Sequence, residues 1–178
     1  ISPNSFTESG RKGIPILTAR LGVASIKERW ATYAAGLDEG GHDDATRARL
    51  MAQIALWRNV YVAKTDAQAE DELSQLLLNT RRHMLHVRGA YNPKDFAIDP
   101  MMLNPWTDPT VGEAEALSYT LASGCLFGSP ERVREQVAEL REAGVRHLLC
   151  QTGFGDMSQD QNLDSMRRFG EQVMPAFS

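Results

Sequence analysis

The sequence predicts an α/β fold with parallel strands, on three observations. Apolar stripes at helical spacing alternate along the chain with short β-prone runs. Strands separated by helices pair in parallel, because each crossover returns the chain in the same direction. Only three runs are convincing strands, and three parallel strands leave two open edges. A complete eight-unit β/α barrel needs about 250 residues and rarely fewer than about 200, against 178 here. The pattern therefore reads as the last portion of such a barrel, one partial domain over 1–178 with its earlier strands absent.

The elements follow in order. Ser2 and Pro3 open a short polar helix, and Gly13 stops it. Residues 14–18 make a strand, with Pro15 near its beginning where little of the ladder is needed. Ser25 caps a helix whose Ile26, Trp30, Tyr33 and Leu37 form one apolar stripe, ended by the glycines of "EGGHDD". Residues 60–63 are the core of a second strand. Thr65 or Asp66 caps a long helix, and Gln68 makes a capping box with Thr65. Ala69, Leu73, Leu76, Leu77 and Thr80 are its inner face, and Arg81 and Arg82 near its end suit the macrodipole.

Residues 89–116 break the rhythm with four prolines and no period. A loop this long is functional or disordered. Met101, Met102, Leu103 and Trp106 give it the apolar weight of a lid, and a packed insertion is the equal alternative. Ser129 then caps a helix with Pro130 in its first position and Val133, Val137 and Leu140 in its stripe, ended by Gly144. Residues 145–152 form the third strand. A final helix carries Leu163, Met166, Phe169 and Val173 before Pro175.

Composition excludes several classes. A net charge of −4 with no basic run argues against a nucleic-acid partner. The apolar runs are too short to span a bilayer, and no signal peptide is read. Cys125 and Cys150 lack metal-type spacing and read as buried free thiols of a reducing cytosol, which makes the expected location cytoplasmic. His83 and His86 lie three apart on a helix without a third ligand, so no metal site is expected, and His42 reads as exposed. No Ser/His/Asp order or dinucleotide fingerprint is present.

In a β/α barrel, functional residues sit at the C-terminal ends of strands and in the loops that follow. Ser2, Asn4 and Ser5 open the first helix, where unpaired N–H groups and the dipole favour an anion. Thr18 and Arg20 follow the first strand, while Gln151 and Thr152 end the last. Arg58 and Asn59 are assigned to the strand's N-terminal end, to stability or solvent contact at the barrel's lower face.

Three segments carry a resemblance. "GSPERVREQVAELREAGVRHLLCQTGFGDMSQDQNLDSMRRFGEQVMPAF" resembles the C-terminal end of the bacterial luciferase-like, flavin-dependent monooxygenases. "SPNSFTESGRKGIPIL" is similar to their mid-chain segment after the fifth barrel strand, and "ALWRNVYVAKTDAQAEDE" resembles their seventh strand and the helix after it. The resemblance implies that the chain begins just past strand five and holds strands six to eight of a (β/α)8 barrel. It places the phosphate of FMN at Ser2, Asn4 and Ser5, and substrate at Thr18, Arg20, Gln151, Thr152 and Trp106. It further implies reduced FMN supplied by a separate flavin reductase, and oxidation of a small organic substrate with O2. The family's acid/base residues come from early strands, so no catalytic residue is named and this portion alone is expected to be inactive. Two alternatives stay open: a deazaflavin-dependent hydride-transfer enzyme, and a non-catalytic half-barrel that assembles with a missing N-terminal half or with itself.

Overall fold

The computed structural model describes residues 3–19, 21–93 and 103–178. Ile1, Ser2, Arg20, Met101 and Met102 therefore lie outside the described residues. In chain order the elements are α1 (Pro3–Arg11), β1 (Leu17–Ala19), α2 (Val23–Glu39), α3 (Asp44–Ala52), β2 (Ala55–Val62), α4 (Asp66–Tyr91), α5 (Glu113–Gly124), β3 (Cys125–Gly128), α6 (Pro130–Glu142), β4 (His147–Gln151) and α7 (Gln159–Arg168). A π turn (Phe169–Val173) and a 3-10 turn (Met174–Phe177) follow.

The α/β expectation holds, and the sheet is parallel where its register is defined. Leu17–Ala19 pairs with 55–57, and Cys125–Gly128 pairs with 59–62, both in parallel. β2 thus has β1 and β3 as partners, and β4 also pairs with it. Among the described residues the sheet has four strands where the sequence shows three. β3 is too short to display a period, and all four of its residues are buried, so nothing alternates. α3 was also not legible as a helix, although Asp43 caps it by accepting the Thr46 N–H at 2.7 Å. α2 starts three residues early, with Gly22 rather than Ser25 at its cap. The break expected over 89–116 is shorter at both ends, because α4 continues to Tyr91 and α5 begins at Glu113.

Contacts divide the chain into two compact units: residues 1–58 with 138–150, and residues 59–137 with 151–178. In the first, α1 and α2 cross at Gly10 and Gly36 so closely that their backbones touch. A Cβ at Gly36 would lie 2.4 Å from the Thr7 carbonyl oxygen, and one at Gly10 would lie 2.4 Å from that of Tyr33. The Tyr33 hydroxyl donates to the Ile14 carbonyl at 3.0 Å. His42 is half-buried rather than exposed. Its Nε2 lies 3.1 Å from the Gly10 carbonyl and 3.2 Å from that of Arg11, closing the last turn of α1.

In the second unit Tyr61, Leu73, Leu77, Trp106, Ala116 and Phe127 belong to one core. α4 packs as its stripe predicts: Ala69, Leu73, Leu76 and Leu77 are buried, and Thr65 accepts the Gln68 N–H. Arg81 is the unforeseen member of that face. It is 3% exposed, and its guanidinium donates to the carbonyls of Trp106, Asp108 and Val111 at 3.2, 2.8 and 2.8 Å. Three backbone acceptors are thereby satisfied by one buried cation, which fixes the segment leading into α5. α7 departs from its expected stripe, since Leu163 and Met166 are exposed. What it buries is Ser165, whose hydroxyl accepts the Val62 N–H at 2.9 Å, while Arg168 donates to the Val62 carbonyl at 3.3 Å.

Candidate functional site

Two places match the residue types that barrel chemistry needs. The first is the start of α1. Asn4 and Ser5 occupy its first turn and are exposed, and the first backbone N–H groups of a helix have no acceptor within it. Ser2 lies outside the described residues. Ser5 also lines a hollow of about 180 Å³ together with Phe6, Ser9, Pro15, Ile16, Leu17 and Thr18. Thr18 is a correction in part. It sits in the middle of β1 rather than after it, is buried, and its hydroxyl donates to the Ala55 carbonyl at 3.4 Å. Arg20 lies outside the described residues. For Arg58 the solvent-contact alternative does not hold, since the residue is 3% exposed. It is buried in mid-strand and donates to the Leu21 carbonyl, just past β1, and to that of Trp57.

The second place is the loop from 152 to 158, between β4 and α7. Gln151 ends β4 and Thr152 follows it, both half-buried. Gln151 Nε2 donates to the Gly153 carbonyl at 3.2 Å. Gly155 has φ +62, and a Cβ there would fall 2.8 Å from Thr80 Oγ1 and 2.9 Å from the Leu76 carbonyl, so glycine is required on both counts. Asp156 accepts from Asn79 Nδ2 at 3.0 Å, and Phe154 and Met157 pack on the core. Ser158 and Gln161 form a capping box that starts α7. One member of this region gave no sequence signal. Asn162, in the first turns of α7, has a buried Oδ1 with no hydrogen-bond partner among the described residues.

Trp106 does not belong to either place. It is 3% exposed and lies in the core, so the apolar residue assigned to a substrate pocket is a packing residue. The turn from β3 into α6 is also closed to an external anion. Asp66 Oδ1 accepts the Ser129 N–H at 2.7 Å, so the chain's own carboxylate takes that helix start. The Ser129 hydrogen bonds hold the Asp66 carboxyl below the usual carboxylate range. Among the described residues no three His, Cys, Asp or Glu side chains converge to hold a metal, and no helix is long and apolar enough to cross a membrane. Cys125 is buried as expected but Cys150 is exposed, and no disulfide joins them.

A parallel sheet with helices between its strands, and polar groups where strands and helices begin or end, defines a class of β/α scaffold. Within it, residues 1–147 match the profile of the luciferase-like monooxygenases, and the chain belongs to that family. No curated protein matches the sequence. Among solved structures the chain is similar to monooxygenase RslO1 from Streptomyces bottropensis, at 17% identity and TM-score 0.67, covering 99% of this chain and 46% of that one. It is also similar to the oxygenating constituent of 3,6-diketocamphane monooxygenase from Pseudomonas putida in complex with FMN, at 20% identity, TM-score 0.58, and 96% and 45% coverage. A third is the coenzyme F420 dependent tetrahydromethanopterin reductase from Methanopyrus kandleri, at 14% identity, TM-score 0.58, and 99% and 49% coverage. The chain spans about half the length of these structures.

Proposed function

We propose that this chain supplies the closing strands of a (β/α)8 barrel in a flavin-dependent monooxygenase that uses reduced FMN and O2 on a small organic substrate. The family match over residues 1–147 carries the reading. Leu17 on β1 and Leu149 on β4 support it, since each is about half exposed, as strands awaiting further barrel would be. Bound FMN would supply the redox chemistry. The chain's own part is to hold it. The first-turn N–H groups of α1, with Asn4, Ser5 and the expected Ser2, suit a phosphate, and Gln151 and Thr152 offer polar contacts to substrate. A flavin reductase would deliver the reduced cofactor as a transient partner.

A second reading is hydride transfer with a deazaflavin. It is favoured by the F420 dependent reductase, which has the same TM-score as the FMN complex. Quenching of cofactor fluorescence in parallel titrations with FMN and F420 tests both. Oxygen uptake with reduced FMN supports the first, and oxygen-independent turnover with reduced F420 supports the second. A well-folded barrel that quenches neither cofactor removes both and leaves a non-catalytic assembly module.

A further inference from the structure

The C-terminal end of α4 and the segment that leads into α5 enclose a hollow of about 570 Å³, the size of a small-molecule site. It lies far from the barrel mouth. β2 and β3 are parallel, so the chain between them returns from the end of one to the start of the other. α4 makes most of that return, and Arg88 stands about 33 Å along it from Asp66. α5 then runs directly into the start of β3 at Cys125. The hollow therefore sits on the N-terminal side of the strands, away from the face where barrel chemistry is done. Its wall is held in place. Buried Arg81 donates to the carbonyls of Trp106, Asp108 and Val111, and the Asn104 side chain accepts the Trp106 N–H at 3.0 Å. A ligand entering such a preformed wall meets little ordering cost.

Leu85, Pro93, Leu103 and Pro109 give the hollow its apolar lining, and Arg88 and Asp108 are its charged groups. Leu103 is exposed, as are Val87 and Tyr91 on the same end of α4, and apolar surface left in water beside a pocket marks a place where something binds. The two charges differ in the bonding capacity left to them. Asp108 Oδ1 already accepts the Thr110 N–H at 2.8 Å and its hydroxyl at 2.6 Å, which hold that carboxyl below the usual carboxylate range. Arg88 is half-buried and reaches only the Thr107 carbonyl, at 3.5 Å, the outer limit of a hydrogen bond. Among the described residues it enters no ion pair. A guanidinium carries five N–H donors, so most of its capacity is unused. We propose that this hollow binds a small apolar monocarboxylate, with the carboxylate on Arg88 and the hydrocarbon body against Leu85, Pro93, Leu103 and Pro109. None of these residues belongs to the start of α1 or to the loop after β4, so the site stands apart from the flavin reading.

The test titrates phenylacetate, and as control phenethylamine, of similar size and opposite charge, into the protein without cofactor, followed by calorimetry and hydrogen exchange. Wild type should bind phenylacetate and not the amine, and exchange should slow in residues 85–93 and 103–111. Arg88→Met keeps an apolar stem and removes the guanidinium, so its unliganded Tm should stay near that of wild type while phenylacetate affinity falls by about tenfold or more. Arg88→Lys keeps the charge and should retain part of the binding. Leu103→Glu, on the exposed rim, sets a second carboxylate beside the ligand's own and should weaken binding without touching Arg88. A wild type that binds no phenylacetate at millimolar concentration would overturn the proposal. So would equal binding of the amine, undiminished affinity in both Arg88→Met and Leu103→Glu, or protection that falls outside the two segments. No cofactor enters the titration, so failure here leaves the flavin reading standing, and failure of that reading leaves this site untouched.

Discussion

Replacing Gly36 with alanine sets two effects of known sign against each other. Alanine in a helix interior is favoured over glycine by about 1 kcal/mol, so propensity alone predicts a more stable protein. The crossing of α1 and α2 predicts the reverse. The new Cβ would stand 2.4 Å from the Thr7 carbonyl oxygen and 3.0 Å from that residue's carbonyl carbon and Cα. That oxygen is short of ordinary contact by about 1 Å, and it belongs to helix backbone that cannot swing aside. The helices must part, loosening the packing of buried Phe6, Tyr33 and Leu37. Overpacking costs about 1–3 kcal/mol, and a clash with helix backbone falls in the upper part of that range, about 2–3 kcal/mol, which leaves a net loss of about 1–2 kcal/mol after the propensity gain and lowers Tm by roughly 2–8 °C for a domain of this size. Gly89, in the last turns of α4, is the control. A Cβ there meets nothing within 4 Å, so Gly89→Ala should stabilise by about 0.5–1 kcal/mol. Thermal and urea unfolding followed by circular dichroism measure both variants. A Gly36→Ala protein as stable as wild type, or more so, would refute the close crossing.

Three further outcomes are expected. Ser165→Ala strands the buried Val62 N–H and should cost about 1–3 kcal/mol, read as a lower urea midpoint with an unchanged slope. Arg81→Met leaves the carbonyls of Trp106, Asp108 and Val111 without their shared donor. It should cost about 3 kcal/mol and open residues 103–112 to limited proteolysis and hydrogen exchange before the rest of the unit. Asp66 has a depressed carboxyl pKa in the folded chain. Its contribution is complete above the normal carboxylate range and vanishes as pH falls through the depressed value, so wild type should lose more stability than Asp66→Asn on acidification from pH 7 to 3.

The residues themselves fixed what depends on neighbours within about one helical turn. Thr65 with Gln68, and Ser129 with Pro130, announce the starts of α4 and α6 because a cap is a hydrogen bond made three residues away. The stripe of Ala69, Leu73, Leu76 and Leu77 shows which side of α4 is buried, because 3.6-residue periodicity is a local property. The candidate site was legible to the same extent: Asn4 and Ser5 at a helix start, Gln151 and Thr152 at a strand end.

Tertiary structure decided the rest, because partners far apart in sequence leave no local periodicity to read. β3 exists through pairing with residues 59–62, not through a pattern of its own. Trp106 reads as a lid residue until Arg81 draws its carbonyl in and its ring joins the core. Ser165 is a polar interruption in an apolar stripe until it meets the Val62 N–H, 103 residues away. Gly10 and Gly36 are unremarked helix glycines until two backbones need their space. A stripe tells a helix which side to bury; what it is buried against depends on the path of the whole chain, and that is where the energies of these contacts are set.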